Sequence, residues 1–447
     1  MTAGAAVAAE AAGTVSVGPT ATGSLMRHEL TTLPSGLRVA TERMPGVRSV
    51  AIGAWVGVGS RDEPAPVAGI SHFIEHLLFR GTARHSALEI AQIFDRFGAE
   101  LNAGTARETT SIYARVIDDH LPEAMDVVGG MVGAPSWDDL DQEREVVLEE
   151  IAMLEDTPDE LVFDLIGETT FPGQALGRPI IGTSDVIERL GRDDVGEHHA
   201  QYYEPGNIVV AAAGAVDHQR FVELVSEWPM RERATQPRRE PASPAAGERA
   251  FTERDTEQYH VCLAAPGLTR HDERRFGLAL LDQMLGSGAS SRLFQEIRER
   301  RGMAYAVYSY TAHYGDSGVV GIYLGTRGEN VAECLEVVGR EIGELAAGRF
   351  DEDELQRAKD SMNGRLALAM ESTGARMNRL GKALVTDGEL LDEAEVSERI
   401  ERVTADDVAA LAAELYDPAN LCAAGIGPDR EIFDGGVDTL AGAGLTP

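Results

Sequence analysis

Three residues set the chemical question. His72, Glu75 and His76 fall within five positions, among the apolar residues Ile70, Phe73, Ile74, Leu77 and Leu78, which recur at helical spacing. Residues i and i+4 of a helix lie one above the other, so both imidazoles can reach one ion while Glu75 projects beside them. That arrangement suits metal-assisted activation of water: two neutral imidazoles grip a divalent cation, and a carboxylate takes a proton from the water it holds. The spacing H-x-x-E-H reverses the H-E-x-x-H metal-binding helix. The same residues also admit a plainer arrangement, two surface histidines at the edge of a core with Glu75 pairing them.

A catalytic zinc needs a third protein ligand and an open position. The stretch from Glu143 to Leu154 reads as an acidic helix in which Glu143 and Glu150, seven apart, share a face with Val146, Val147, Met153 and Leu154. Glu149 falls with Gln142, Glu145 and Ala152 on the wetter side. A carboxylate on an apolar face is costly unless a cation compensates it. Periodicity therefore favours Glu150 over Glu149 as the third ligand. Without His72 and His76, the stretch would be an ordinary acidic helix.

Positioning such groups requires a sizeable frame. Helical periods run over 67–79, 87–97, 121–132, 139–155, 273–285, 291–300, 329–347 and 352–371, and strand-like apolar runs cover Val50 to Val58, Ile112 to Ile117 and Val319 to Leu324. A long-range repeat organises them. Asp193-Asp194-Val195 followed by Tyr203-Glu204-Pro205-Gly206-Asn207-Ile208 returns as Asp406-Asp407-Val408 followed by Tyr416-Asp417-Pro418-Ala419-Asn420-Leu421, each residue displaced by 213 positions. Each copy predicts a helix, a Pro/Asn turn and a buried strand. Between the halves, Trp228 to Glu248 holds four prolines and several arginines, the composition of a solvated linker. The expected organisation is a flexible tail at 1–26, a first domain at 27–228, a linker at 229–248, a homologous second domain at 249–434 and a tail at 435–447. The fold class is α+β, with two homologous domains, each a mostly antiparallel sheet covered on one face by helices.

Composition narrows the function classes. The 447 residues carry 40 basic and 74 acidic side chains, a formal net charge of −34, so phosphate backbones and anionic lipid are repelled and neither nucleic acid nor membrane is an expected partner. No apolar run reaches the length of a membrane span. The first 26 residues lack the basic start and apolar stretch of a signal peptide, and a cytoplasmic location is expected. Cys262, Cys334 and Cys422 are sparse and odd in number, and are expected to be reduced and buried. The second half holds His260, His271 and His313 but no H-x-x-E-H, and the His198-His199 pair reads as loop or surface.

At this point the sequence resembles the pitrilysin/insulinase-type (M16) zinc peptidases, in particular the short two-domain branch that includes the mitochondrial processing peptidase β-subunit and its bacterial relatives. The resemblance rests on Gly69-Ile-Ser-His72-Phe-Ile-Glu75-His76-Leu-Leu-Phe79-Arg-Gly81-Thr82, on Asn102-Ala103-Gly104-Thr105, on Glu143 to Glu150 and on Arg298 to Tyr305, and spans roughly residues 27–430. It implies one Zn2+ per chain held by His72, His76 and Glu150, with Glu75 as catalytic base and Glu143 supporting the ligand set. It implies that the strand from Ala99 to Thr105, low in bulk at Ala103 and Gly104, pairs with an extended substrate, so that Phe79, Asn102, Ala103, Gly104 and Thr105 join the substrate-binding set. Arg298 and Tyr305 match the family's R-x6-Y pair, which hydrogen-bonds substrate and the developing charge. The activity so implied is metalloendopeptidase cleavage of unfolded peptides or presequence-like segments. It would take place inside a chamber built from four such domains, hence a homodimer of this chain. A non-catalytic scaffold of the same family, or one half of a heterodimeric peptidase, is the rival expectation.

Overall fold

In the computed structural model, residues 28–230 and 239–442 are described, so the expected N-terminal tail, the linker segment 231–238 and the last five residues lie outside the described residues. The described residues divide into two units, each assembled from separated segments: 28–149, 180–230 with 239, and 367–392 in the first, and 150–179, 240–366 and 393–442 in the second.

The first unit holds strands β1 (His28–Thr32), β2 (Arg38–Arg43), β3 (Ser49–Val56), β4 (Glu100–Thr105), β5 (Thr110–Ile117) and β6 (Ile208–Gly214) in the spatial order β1-β2-β6-β3-β5-β4. All neighbours are antiparallel except β2 and β6. Its helices are α1 (Ile70–Leu77), α2 (Ala87–Phe97), α3 (Leu121–Gly133), α4 (Leu140–Glu155), α6 (Ser184–Ile187), α7 (Arg192–Tyr202), α8 (His218–Ser226) and, from far along the chain, α12 (Thr373–Val385). The division between units falls inside α4, which runs unbroken across it.

The second unit repeats the plan. Strands β7 (Arg249–Glu253), β8 (Tyr259–Pro266), β9 (Ala304–His313), β10 (Gly318–Thr326) and β11 (Cys422–Gly427) lie in the order β7-β11-β8-β10-β9, with β7 and β11 the parallel pair. Helices α5 (Pro158–Thr170), α9 (Arg275–Leu285), α10 (Val331–Ala346), α11 (Glu352–Ala369), α13 (Glu393–Arg402), α14 (Ala405–Leu415) and α15 (Arg430–Gly442) complete it. The sequence repeat is visible in space: α7 leads to β6 and α14 leads to β11, and both strands are buried along their whole length.

The sheets differ from expectation on their second faces. In the second unit, Val261, Leu263 and Ala265 pack into the core formed with α9, α10 and α14, while Cys262 and Ala264 face Val162 and Ile166 of α5. In the first, Ala51, Trp55, Ala211 and Ala213 face Met377 and Leu380 of α12. Each sheet is thus covered on both faces, the second by a helix from a distant part of the sequence, and contiguous boundaries do not describe the exchange. The sheet face under α12 is rich in Ala and Gly, so the helix approaches closely. A Cβ on Gly381 would lie 2.2 Å from the Trp55 ring, and one on Gly53 would lie 2.5 Å from the same ring. The buried Glu42 on β2 then locks α12 in place through Arg376 and Arg379, the latter at 2.7 Å.

Residues 435–442, expected as tail, continue α15 as helix. All three cysteines are free and buried, and burial pushes the Cys334 thiol up to about 11. Among the described residues no helix is long and apolar enough to cross a membrane.

An added methyl at Gly381 has nowhere to go but into a ring already fixed from its other side. Gly381→Ala is therefore expected to lower stability by about 1–3 kcal/mol, the range for overpacking a filled core, read as a reduced urea midpoint.

Candidate metal centre

Helix α1 buries Ile70, Ser71, Phe73, Ile74 and Leu77 and leaves His72, Glu75 and His76 half-buried on its other side, as the alternation of apolar and polar residues dictates. Its N-terminus is fixed by two devices. The buried Glu63 carboxylate accepts the Gly69 N–H at 2.6 Å and the Ser71 N–H at 2.8 Å, satisfying donors that a helix start leaves open and placing a negative charge at the positive end of the dipole. Gly69 (φ +96°) and Gly182 (φ +82°) also meet backbone to backbone, since a Cβ on either would lie 2.5–2.6 Å from a carbonyl oxygen of the other segment.

The loop carrying Glu63 is itself anchored. Arg61 pairs with Glu108 at 2.7 Å with both side chains almost fully buried, and Arg239 spans the Asp62 carboxylate at 2.8 and 2.9 Å. These links join the entrance of α1 to the turn between β4 and β5.

The two imidazoles lie 4.7 Å apart, centroid to centroid. Burial, followed by the neighbouring His76, lowers the His72 pKa to about 4, so His72 is a neutral imidazole with a lone pair to offer. The His76 Nδ1 donates to Glu143 Oε1 at 2.8 Å, which fixes the tautomer with its lone pair on Nε2. Glu143 is buried and also accepts from Arg80 Nε and Nη2. Burial alone would raise its pKa, but the hydrogen bonds from His76 and Arg80 and the guanidinium charge outweigh it and hold the carboxyl below its ordinary range.

Glu150 rides two turns further along the same helix as Glu143. One donor atom each from His72, His76 and Glu150 lies within 4.8 Å of the others, and among the described residues this is the one group of His, Cys, Asp or Glu that converges so. Two imidazoles and a carboxylate form a donor set that zinc accepts with a position to spare. The face reasoning that favoured Glu150 needs correction. Val146 is 46% and Met153 65% exposed, and Glu150 itself is exposed, whereas Val147, Ile151 and Glu143 are buried. The buried stripe is 143/147/151, and Glu150 stands at the rim of the helix on its open side.

Glu75 receives the Thr105 hydroxyl, Oγ1 to Oε2 at 2.6 Å. Thr105 ends β4, the outer strand of its sheet, with Asn102, Ala103 and Gly104 before it. A Cβ on Gly104 would meet nothing within 4 Å, and the Ala103 N–H is held by the Asn102 side chain at 2.8 Å. Phe79 lies half-buried in the 3-10 turn that follows α1. In the second unit, Arg298 sits in a π-helical segment, Phe294–Glu299. Its guanidinium lies 4.5 Å from the Tyr305 ring centroid and donates to the Tyr305 carbonyl at 3.1 Å, with Tyr305 itself 76% exposed. The R-x6-Y spacing is therefore a contact pair. His198 is neither loop nor surface: it lies buried on α7 with Nε2 3.4 Å from Ser71 Oγ, on the back of α1.

Residues 38–184 match the insulinase-type M16 peptidase domain and residues 189–362 match the "Peptidase M16 inactive domain". An uncharacterized zinc protease of Streptomyces coelicolor is 44% identical over 396 residues, covering 86% of each chain. The chain belongs to peptidase family M16. A second M16 relative, the uncharacterized zinc protease YmxG of Bacillus subtilis, is 38% identical, covering 86% of this chain and 95% of its own. The crystal structure of a protease from Helicobacter pylori superposes with a TM-score of 0.85 at 22% identity, covering 91% of this chain and all of the other, and shares the M16 fold.

Sequence reasoning assigned no role to Glu63, Arg80 or the Arg61/Asp62/Glu108/Arg239 cluster. Arg80 stands inside the motif run, and only the fold shows that it reaches Glu143. Removing the charge that orients His76 weakens metal binding without touching a ligand: Glu143→Gln is expected to lower zinc affinity about 10–100-fold, measured by competition with a chromogenic chelator.

Proposed function

We propose that the protein is a zinc-dependent endopeptidase acting on unfolded peptides. The observation that carries this reading is the convergence of His72, His76 and Glu150, with Glu75 beside them and an oriented Glu143 behind His76. Zinc bound there would polarise the scissile carbonyl and lower the pKa of water to about 7.

The chain's own groups then do the rest. Glu75 accepts a proton as the water oxygen bonds to the carbonyl carbon, and delivers it to the amine nitrogen as the C–N bond breaks. His76 is kept in one tautomer by Glu143, which Arg80 holds from its other side. Strand β4 offers an outer edge on which an extended peptide can add as a further strand, with Asn102 giving up its hold on the Ala103 N–H. In this reading Arg298 and Tyr305 donate hydrogen bonds to substrate, Phe79 contacts it, and two chains associate as a homodimer whose four domains enclose the substrate in the cytoplasm. A buried Glu143 bonded to both His76 and Arg80 supports the catalytic reading over a scaffold, because it orients a histidine of the converging set.

The test uses the full chain and a quenched, unstructured peptide. Hydrolysis is expected, abolished by chelation and restored by zinc, with mass spectrometry locating internal cleavage. Glu75→Gln is expected to keep zinc and lose about 10²–10⁴ in kcat; a variant that keeps both zinc and full activity would falsify the mechanism. Native mass is expected to be that of two chains.

A further inference from the structure

The assignment of Glu75 as base leaves open what aims it. A glutamate at the side of a short helix can rotate about three bonds, and only part of that range points its carboxylate at the water to be activated. The structure fixes one oxygen. Thr105 Oγ1 lies 2.6 Å from Glu75 Oε2, the short distance of a hydroxyl donating to a charged acceptor. The same oxygen stands 3.4 Å from the Ser71 carbonyl, a far weaker contact.

Thr105 is suited to hold that bond. Its side chain shares a strand face with Leu101 and Ala103, half-buried, while Glu100 and Asn102 on the opposite face are exposed. Its branched Cβ restricts χ1, so the hydroxyl keeps one direction. Its backbone pairs with Thr110, and the turn that follows is tied by Ser60 N–H to the Ala106 carbonyl at 3.2 Å and by Arg61 N–H to the Arg107 carbonyl at 2.8 Å. Gly59 packs so tightly there that a Cβ would lie 2.2 Å from the Ala106 oxygen. The segment making these bonds, 59–63, also contains Glu63, which holds the start of α1. Donor and acceptor are therefore fixed to one frame.

We infer that Thr105 is the positioning residue for the Glu75 base, an inference that rests on the peptidase reading above. The hydroxyl has a single proton and spends it on Oε2, which fixes the rotation of the carboxylate that exchanges the proton with water and amine. Thr105 belongs to the strand expected to pair with substrate, but its hydroxyl is spent on Glu75; removing that hydroxyl alone keeps the backbone edge, so its loss acts on the chemical step rather than on substrate affinity.

The experiment compares Thr105→Val, which keeps the shape and removes the donor, with Thr105→Ser, which keeps the donor and loses the branch. Steady-state cleavage of the quenched peptide is measured alongside zinc content and urea midpoint. Thr105→Val is expected to lower kcat about 10–100-fold with KM within about twofold, the loss of one hydrogen bond to a charged group. Thr105→Ser is expected to recover kcat to within about fivefold of wild type. An unchanged kcat in Thr105→Val overturns the inference, as does a Thr105→Ser defect equal to that of Thr105→Val, or a fall in urea midpoint that accounts for both. The two levels separate cleanly. Wild-type chain without chelator-sensitive cleavage removes the peptidase reading and this inference together; an active wild type and inert Glu75→Gln beside an unaffected Thr105→Val removes this inference alone.

Discussion

Eight residues of helix cannot hold their own shape in water, because the nucleation penalty is not recovered over so few hydrogen bonds. Helix α1 is that short, and it carries the two histidines and the base. Its geometry is therefore borrowed from its surroundings. Glu63 and the Gly69–Gly182 contact fix its start, the buried side chains Ile70, Phe73, Ile74 and Leu77 fix its rotation, and the Arg80–Glu143–His76 chain fixes its far end. Remove the supports and the histidines have no reason to face the same point.

Those supports share a chemistry. The chain is strongly acidic overall, yet its locking contacts are arginines set on buried carboxylates: Arg61 on Glu108, Arg239 on Asp62, Arg80 on Glu143, and Arg376 with Arg379 on Glu42. A guanidinium stays charged when desolvated and presents a planar fork to a carboxylate, so it can fix direction as well as distance. Lysine at these positions would keep the charge and lose the fork.

Local pattern and non-local contact divide what the sequence discloses. The α1 stripe, the strands at Val50 to Val58 and Val319 to Leu324, and the repeat that pairs α7–β6 with α14–β11 are all readable because their signals are periodic within a short window. Helices α5 and α12 escape a reading by hydropathy because few of their buried residues are apolar: Val162 and Ile166 beside Thr170 in one, Met377 and Leu380 beside Thr373 and Gly381 in the other. What holds them is a sheet elsewhere in the chain. The α4 face was misjudged for a related reason, since Val146 and Met153 are apolar yet exposed, and hydropathy alone cannot say which side of a helix meets the core. The bond from Thr105 to Glu75 joins residues thirty positions apart, and no spacing rule reports it.

The exchange of helices also orders events in time. During synthesis the strands β1 to β6 are all available once residue 214 has emerged, but the Ala- and Gly-lined face beneath Trp55 stays uncovered until α12 follows. At about 5–20 residues per second this leaves an apolar surface open for roughly 10–30 s. The N-terminal sheet of this chain thus reaches its final packing only after α12 has been made, and a product truncated between β6 and α12 would be released with Trp55 bare.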